Sequence, residues 1–496
     1  MLSHCYRITK YDPADRDEQD RYTGSEDPVS DRGPVEAAHL RAVAAFAVDS
    51  GVDRLVIREP STPGSAFLGA EPAAESRGLA GLFPSDLSGY HDGAEVALET
   101  ALELVRVMLR EDGAWCRLEA EGIFTVHVGR DQYLYVGSAR PCERAVALTR
   151  SLGLFPESIA ASPYEWADDE PGPQQAADDD FWNWLYLNIP RKGALLLEEE
   201  PLDGVCRWHR VTRENGDHLR AGLTPRARLA VWPDLHHDVS AVLDSLPDEG
   251  LVECVLEDRT GRIASVVATE TQFAELTALV EGARAAVLLP MDLDERRPLF
   301  TAVLPDEDGV LRARWRTCPT PLNDRWAFLK TFSQGQVRSG TVTSIAGFGV
   351  FVDIGGIDGM ISAAELSWDR FERFEDVVRV GQELTVQILD VDLARERIAL
   401  SLKATQEDTW LTMLDRVGRV FTTHVTKVVP FGVFVCVEGR REGLVPNADL
   451  YGGQDRTPDA AVGVGDEITV RLVDVDLERR RILLTAIRST SSQPDG

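Results

Sequence analysis

The sequence predicts a multidomain chain: two α+β domains, then two small five-stranded β-barrels. Three observations carry that expectation: a long duplication toward the C-terminal end, an acidic Pro-containing break near residue 170, and helix and strand periodicities on either side of the break. The duplication is marked by Phe348-Gly-Val-Phe351-Val and Phe431-Gly-Val-Phe434-Val, 83 residues apart, an offset shared by the opening Gly335-Gln-Val and Gly418-Arg-Val. After a one-residue insertion the offset becomes 84, as for Gly359 and Gly443, Gly381 and Gly465, and Asp390-Val-Asp392 and Asp474-Val-Asp476. Fixed offsets at so many points identify a repeated unit, which outranks any local pattern in reading a fold.

Residues 1–165 are expected to form one α+β domain. Val35 to Val48 is Ala-rich with helical spacing, and Arg54 to Arg58 reads as a strand. Ala94 to Leu109 has Val96, Leu102, Val105 and Leu109 among its apolar positions, predicting a second amphipathic helix. Ala114–Leu118, Ile123–Val128 and Gln132–Val136 predict an antiparallel meander, and Pro141–Leu152 a helix. Residues 166–180 are acidic and poor in apolar side chains, the composition of a linker. The acid runs Asp168–Glu170, Asp178–Asp180 and Glu198–Glu200 read as solvated.

A second α+β domain is expected over 181–330. Phe181-Trp-Asn-Trp-Leu-Tyr-Leu187 predicts a buried helix capped by Asp180, since Trp covers much apolar area. Leu251–Leu256 and Ile263–Ala268 read as a hairpin, Thr271–Val280 as a helix, and Ala285–Leu289 and Leu299–Val303 as strands. Each C-terminal unit then shows strand periodicity. Leu384, Val386 and Ile388 alternate with Thr385 and Gln387; Ile398, Leu400 and Leu402 alternate likewise. Ile468, Val470, Leu472, Ile482 and Leu484 repeat both patterns. With Thr341–Ile345, Val350–Ile354 and Gly359–Ile361, five strands fall in about 70 residues, which predicts a Greek-key barrel of the OB type.

Both units resemble the S-one RNA-binding domain, the OB-fold repeat of the largest small-subunit ribosomal protein. The resemblance rests on the opening Gly-x-Val, the Phe-Gly-Val-Phe-Val core, Asp358-Gly-Met-Ile, Glu442-Gly-Leu-Val, Val380-Gly-Gln-Glu-Leu, Val464-Gly-Asp-Glu-Ile and Arg397-Ile-Ala-Leu-Ser-Leu-Lys403. Residues 333–405 and 418–488 form the two units, with a join at 406–417; they cover under a third of the chain. The resemblance implies single-stranded RNA or mRNA as the partner and a role near translation.

Such a barrel holds RNA by stacking bases on exposed rings and meeting phosphates with cations. Phe348, Phe351, Phe431 and Phe434 are the candidate rings. Strict alternation sends residues three apart to opposite faces, so either one Phe of each pair is core or a bulge at Gly349 and Gly432 unites them. The resemblance implies that both positions line the RNA face. It also implies roles for Asp392 with Arg397, and for Asp476 with Arg481, in the turn before the last strand. Lys427 and Arg440-Arg441 add positive charge to the second unit alone. The His that the family commonly carries after the Gly-Leu-Val strand is replaced by Ser362 and Pro446, which weakens the expected face.

Charge separates the two units. Residues 335–405 carry 7 Lys+Arg and 11 Asp+Glu, whereas 418–488 carry 10 of each. Phosphate neutralisation drives nucleic-acid affinity, so the second unit is expected to be the stronger binder. The whole chain has a net charge of −30, most of it before residue 335, which excludes a general nucleic-acid coat or a membrane-surface binder. The acidic N-terminal domains are expected to meet the ribosome or another protein. Seven cysteines without a Cys-x-x-Cys pair, and no apolar run of membrane length, predict a reduced, cytoplasmic chain. His236-His237 reads as a solvated turn rather than a metal site, and no Walker loop or hydrolase motif is present. No catalytic residue, metal or cofactor is therefore expected. Two further readings stay open: a scaffold whose barrels no longer bind RNA, and an RNA-processing enzyme with its catalytic domain before residue 331.

Overall fold

The computed structural model describes residues 2–19, 21–24, 32–62, 78–129, 132–164, 174–292, 295–314, 320–369, 371–438, 441–451, 462–477 and 479–487. The chain divides into two compact units, Met1–Ala327 and Phe328–Gly496.

Among the described residues the first unit contains three antiparallel sheets. Seven strands form the largest: β1 (His4–Thr9), β2 (Arg54–Ser61), β3 (Glu95–Ala97), β4 (Trp115–Ala120), β5 (Phe124–Val128), β6 (Leu134–Ser138) and β7 (Phe155–Ile159). Their order is β3-β2-β4-β5-β6-β1-β7, so β1 lies inside the edge strand β7 and is paired to both β6 and β7. Helices α1 (Pro34–Ser50), α2 (Leu98–Leu109) and α3 (Glu143–Ser151) share one apolar core with it, built around Phe46, Leu55, Ile57, Leu104, Val105, Leu118 and Phe124. The expected meander and helices are present, with one correction. Glu95–Ala97 leaves the predicted helix to pair with β2, because Val96 is needed in the sheet core opposite Leu55.

The remaining strands are β8 (Leu195–Leu202), β9 (Val205–Val211), β10 (Arg228–Pro233), β11 (Leu251–Glu257), β12 (Ile263–Thr269), β13 (Ala285–Pro290) and β14 (Phe300–Val303). They form a four-stranded sheet, β14-β10-β8-β9, and a three-stranded sheet, β12-β11-β13. Helix α4 (Asp179–Asn188) buries Phe181, Trp182, Trp184 and Leu185, and Phe181 and Trp184 both contact Phe300. Its cap is Asp178 rather than Asp180: the Asp178 carboxylate accepts from the Phe181 amide. The acidic stretch was expected to be linker; residues 165–173 lie outside the described residues, and Ala176 already bridges to Val303. Asp168–Glu170 lies outside them too.

Glu198–Glu200 corrects another expectation. These acids belong to β8, with Glu198 and Glu199 buried. Glu198 accepts from Trp232 Nε1 (2.8 Å) and Arg296 (2.8 Å), and Arg296 also pairs with Glu253 at 2.9 Å. Glu199 meets His209 at 2.7 Å and the Thr224 amide at 2.8 Å. Burial pushes the Glu199 carboxyl up, and the bonds from His209 and Thr224 more than offset it, leaving it below the ordinary value.

In the second unit two closed barrels follow one another. The first has β15 (Val337–Ala346), β16 (Gly349–Asp353), β17 (Asp358–Ser362), β18 (Glu383–Asp392) and β19 (Arg397–Ser401), ordered β15-β16-β17-β19-β18. The second repeats that order with β20 (Val420–Val429), β21 (Gly432–Glu438), β22 (Arg441–Pro446), β23 (Glu467–Asp476) and β24 (Arg481–Ala486). The predicted alternation is realised: Leu384, Val386, Ile388, Ile398 and Leu400 fill the first core, and Val470, Leu472, Ile482 and Leu484 the second. Closure leaves neither barrel with a free edge.

Candidate nucleic-acid interface

Each Phe-Gly-Val-Phe segment straddles a tight hairpin. Ala346 pairs with Gly349, so Gly347 and Phe348 form a two-residue turn; Val429 pairs with Gly432 around Pro430 and Phe431. The turn residues stand in solvent, with Phe348 66% and Phe431 59% exposed. Phe351 and Phe434 are half-buried on the adjoining strands. Phe348 meets Phe351 edge to face, with ring centroids 5.9 Å apart and planes at 89°. In the first barrel the two rings therefore share a surface, through the turn rather than through a bulge at the glycine, and register gives Phe431 and Phe434 the equivalent positions in the second. The bulges lie on the partner strands, between Val342 and Ser344 and between Val425 and Lys427. The glycines serve close approach instead. A Cβ at Gly349 would sit 2.8 Å from the Ile361 carbonyl oxygen, and one at Gly432 2.3 Å from that of Val445. In the second barrel Asn447 Nδ2 donates to the Pro430 carbonyl at 2.8 Å and holds the turn.

Strand register extends each face into a row. In the first barrel Ser344, Phe351, Met360, Ala399 and Asp390 are successive cross-strand neighbours. In the second the row reads Lys427, Phe434, Leu444, Leu483 and Asp474. Lys427 is thus exposed directly opposite Phe434, where the first barrel has Ser344. Met360, Leu444 and Leu483 extend the apolar platform and were not singled out from sequence. The repeat alignment contained the signal, but the bulges decide which residues share a face. Ser362 and Pro446 pair with Gly349 and Gly432, beside the turn rings.

Asp392 pairs in register with Arg397, and Asp476 with Arg481, so the two predicted acid–base pairs flank equivalent turns. Both arginines are exposed. The Asp392 carboxylate is engaged by Arg395, from the backbone amide at 2.9 Å and the guanidinium at 3.0 Å. Partial burial raises the Asp392 pKa, but these bonds and the nearby Arg397 charge hold it below the usual value. Asp476 accepts from the Arg479 amide at 2.9 Å. Arg441 sits elsewhere. It is only 9% exposed, and its Nε donates to Asp369 of the first barrel at 2.6 Å, which removes it from the solvent-facing set. Arg440 lies outside the described residues.

The first unit holds titratable groups in its interior. His127, hydrogen-bonded to Ser162 at 3.1 Å and stacked on Tyr135, is pushed down to about 3 by burial and by the Arg117 charge, so it is a neutral imidazole at physiological pH. Cys142 is buried beside Ser50. Among the described residues no group of three or more His, Cys, Asp or Glu is arranged to hold a metal, and no helix is long and apolar enough to cross a membrane.

The barrels are S1 RNA-binding domains: residues 331–403 and 414–486 each match the family model "S1 RNA binding domain". Over 163 residues the chain is 48% identical to the small ribosomal subunit protein bS1 of Mycobacterium tuberculosis, covering 32% of this chain and 34% of that protein. It is 35% identical over 174 residues to bS1 of Pseudomonas aeruginosa, covering 34% and 31% of the two chains. The chain thus spans about a third of the length of the relatives it matches. The solution structure of GSP13 from Bacillus subtilis overlaps 15% of this chain and 59% of its own, at 31% identity and a TM-score of 0.15.

Proposed function

We propose that this protein binds single-stranded RNA, as a translation-related factor in the cytoplasm, through the outer faces of its two C-terminal barrels. The observation that carries the reading is the pair of solvent-exposed rings, Phe348 and Phe431, set at identical turns beside Phe351 and Phe434. An exposed ring with no apolar cover suits base stacking, which is tolerant of sequence because every base offers a π-face. Arg397 and Arg481 supply cations at the neighbouring turn, and Lys427 adds one to the second barrel only. The second barrel is therefore the stronger RNA contact, and the first extends the track. The role is one of binding rather than catalysis. The acidic N-terminal unit repels phosphate and suits a protein partner, on the ribosome or off it.

The test is a salt titration of the full chain with fluorescein-labelled oligouridylate. Affinity that falls as salt rises, and falls further in Phe431→Ala than in Phe348→Ala, supports the reading. Absence of binding at low salt overturns it, and a larger effect of Phe348→Ala overturns the ranking of the barrels.

A further inference from the structure

The two barrels meet through a small set of side chains outside the stacking rings. Trp368 and Asp369 follow the short helix Ala363–Leu366 of the first barrel. Trp368 packs against the apolar core of the second barrel. Arg480 places its guanidinium 5.2 Å from the Trp368 ring centre and donates to the Trp368 carbonyl at 2.7 Å. Lys403 of the first barrel lies 4.2 Å from the same ring. Asp369 pairs with Arg441, whose guanidinium sits 5.6 Å from the ring of Trp410, a residue of the join that is 8% exposed. An aromatic ring close to two cations, and a carboxylate–guanidinium pair whose arginine is buried, make a specific contact, not a chance touch.

Two features tie this contact to RNA. Arg480 lies on the β23–β24 turn that also carries Asp476 and Arg481, so the first barrel grips the cationic turn of the second. The contact residues also mark where the duplication breaks down. Arg480 and its counterpart Glu396 share a left-handed backbone, φ 51° and 53°, yet carry opposite charge. Arg441 corresponds to Ile357, while the positions matching Trp368 and Asp369 are Gly452 and Gly453 in the sequence. The parts are thus not common to both barrels but are divided between them, each half on the side where it is used.

We propose that Trp368 and Asp369 form a latch that fixes the Asp476–Arg481 turn against the first barrel, so that both aromatic faces take one continuous RNA strand. This rests on the RNA-binding reading above. Two barrels on a free tether bind a second stretch of RNA at an effective concentration set by the tether, whereas a fixed spacing removes the ordering cost. Trp368, Asp369, Arg441 and Arg480 are positioning residues in this scheme.

The experiment uses the full chain as wild type, Trp368→Ala, Asp369→Arg and the charge swap Asp369→Arg/Arg441→Asp. Oligouridylates of about 6 and about 16 nucleotides, sized for one barrel and for two, are the probes. Hydrogen exchange over 366–369 and 476–481 is followed without RNA. The expected result is faster exchange in the single variants, short-RNA affinity within twofold of wild type, and long-RNA affinity weakened about tenfold. The swap should recover most of the loss caused by Asp369→Arg. Faster exchange with unchanged long-RNA affinity overturns the latch, as does equal weakening for both lengths. A wild type that binds neither RNA overturns the RNA reading instead, and is distinguished because no variant is needed to see it.

Discussion

Replacing Lys427 by Ser gives the second barrel the residue that the first carries at Ser344, and isolates one cation on an otherwise matched face. Lys427 is exposed, and directly opposed residues on antiparallel strands have Cβ atoms about 5 Å apart, so its side chain starts beside Phe434 on the same face. A base stacked on that ring brings its phosphate within reach of the ammonium. Two unit charges about 4 Å apart in water interact by ~1 kcal/mol, or roughly fivefold in affinity. Each phosphate neutralised on a single strand contributes about 0.7 to the slope of log K against log salt. Lys427→Ser should therefore cost about fivefold near 50 mM salt, lower the slope by about 0.7, and lose most of its effect by about 0.5 M. Ser344→Lys should do the reverse in the first barrel. Fluorescence anisotropy over a salt series reads both quantities. A Lys427→Ser slope equal to that of wild type would refute the placement of this side chain on the RNA path.

Phe431→Ala removes one stacking platform and should weaken single-stranded RNA binding by about 1–3 kcal/mol, measured by the same anisotropy assay, with the fold unchanged by circular dichroism. Gly432→Ala should destabilise the second barrel by about 1–3 kcal/mol in denaturant melts, because the added methyl meets the Val445 carbonyl, a backbone atom that has no rotamer to escape into. Arg296→Met leaves Glu198 and Glu253 as buried carboxylates without their shared cation, and should cost the first unit about 3–5 kcal/mol by the same melts. Glu199 is depressed in the folded state, so its contribution is present above the ordinary Glu value of 4.5 and is lost as pH falls through the lower folded value. Glu199→Gln should accordingly destabilise at pH 7 and draw closer to wild type as melts are run in more acid; a gap that does not change with pH would show the carboxylate charge to be irrelevant.

How much of this was legible varies with the range of the interactions involved. The barrels were readable because a strand with one buried face writes its period into local sequence, and the duplication wrote it twice. The rings Phe348 and Phe431 were readable as candidates, but not the mechanism that unites them with Phe351 and Phe434, since a two-residue turn depends on register. Arg441 was visible as charge and invisible as a buried residue, because Asp369 lies 72 residues away. The same limit hid Glu198–Glu200: three acids in a row look solvated until Trp232 and His209 arrive from other strands and Arg296 from the β13–β14 connection. Strand β1 escaped notice because only its pairing with β6 and β7 defines it.

That last strand has a consequence for biogenesis. Its register ties Cys5 to Gly137 on one side and to Ile159 on the other. During synthesis at about 5–20 residues per second, the segment around Cys5 therefore waits on the order of 10–30 s before both neighbours have been made. Throughout that interval the segment containing Ile8 lacks both of its native neighbours, so slower elongation lengthens its exposure.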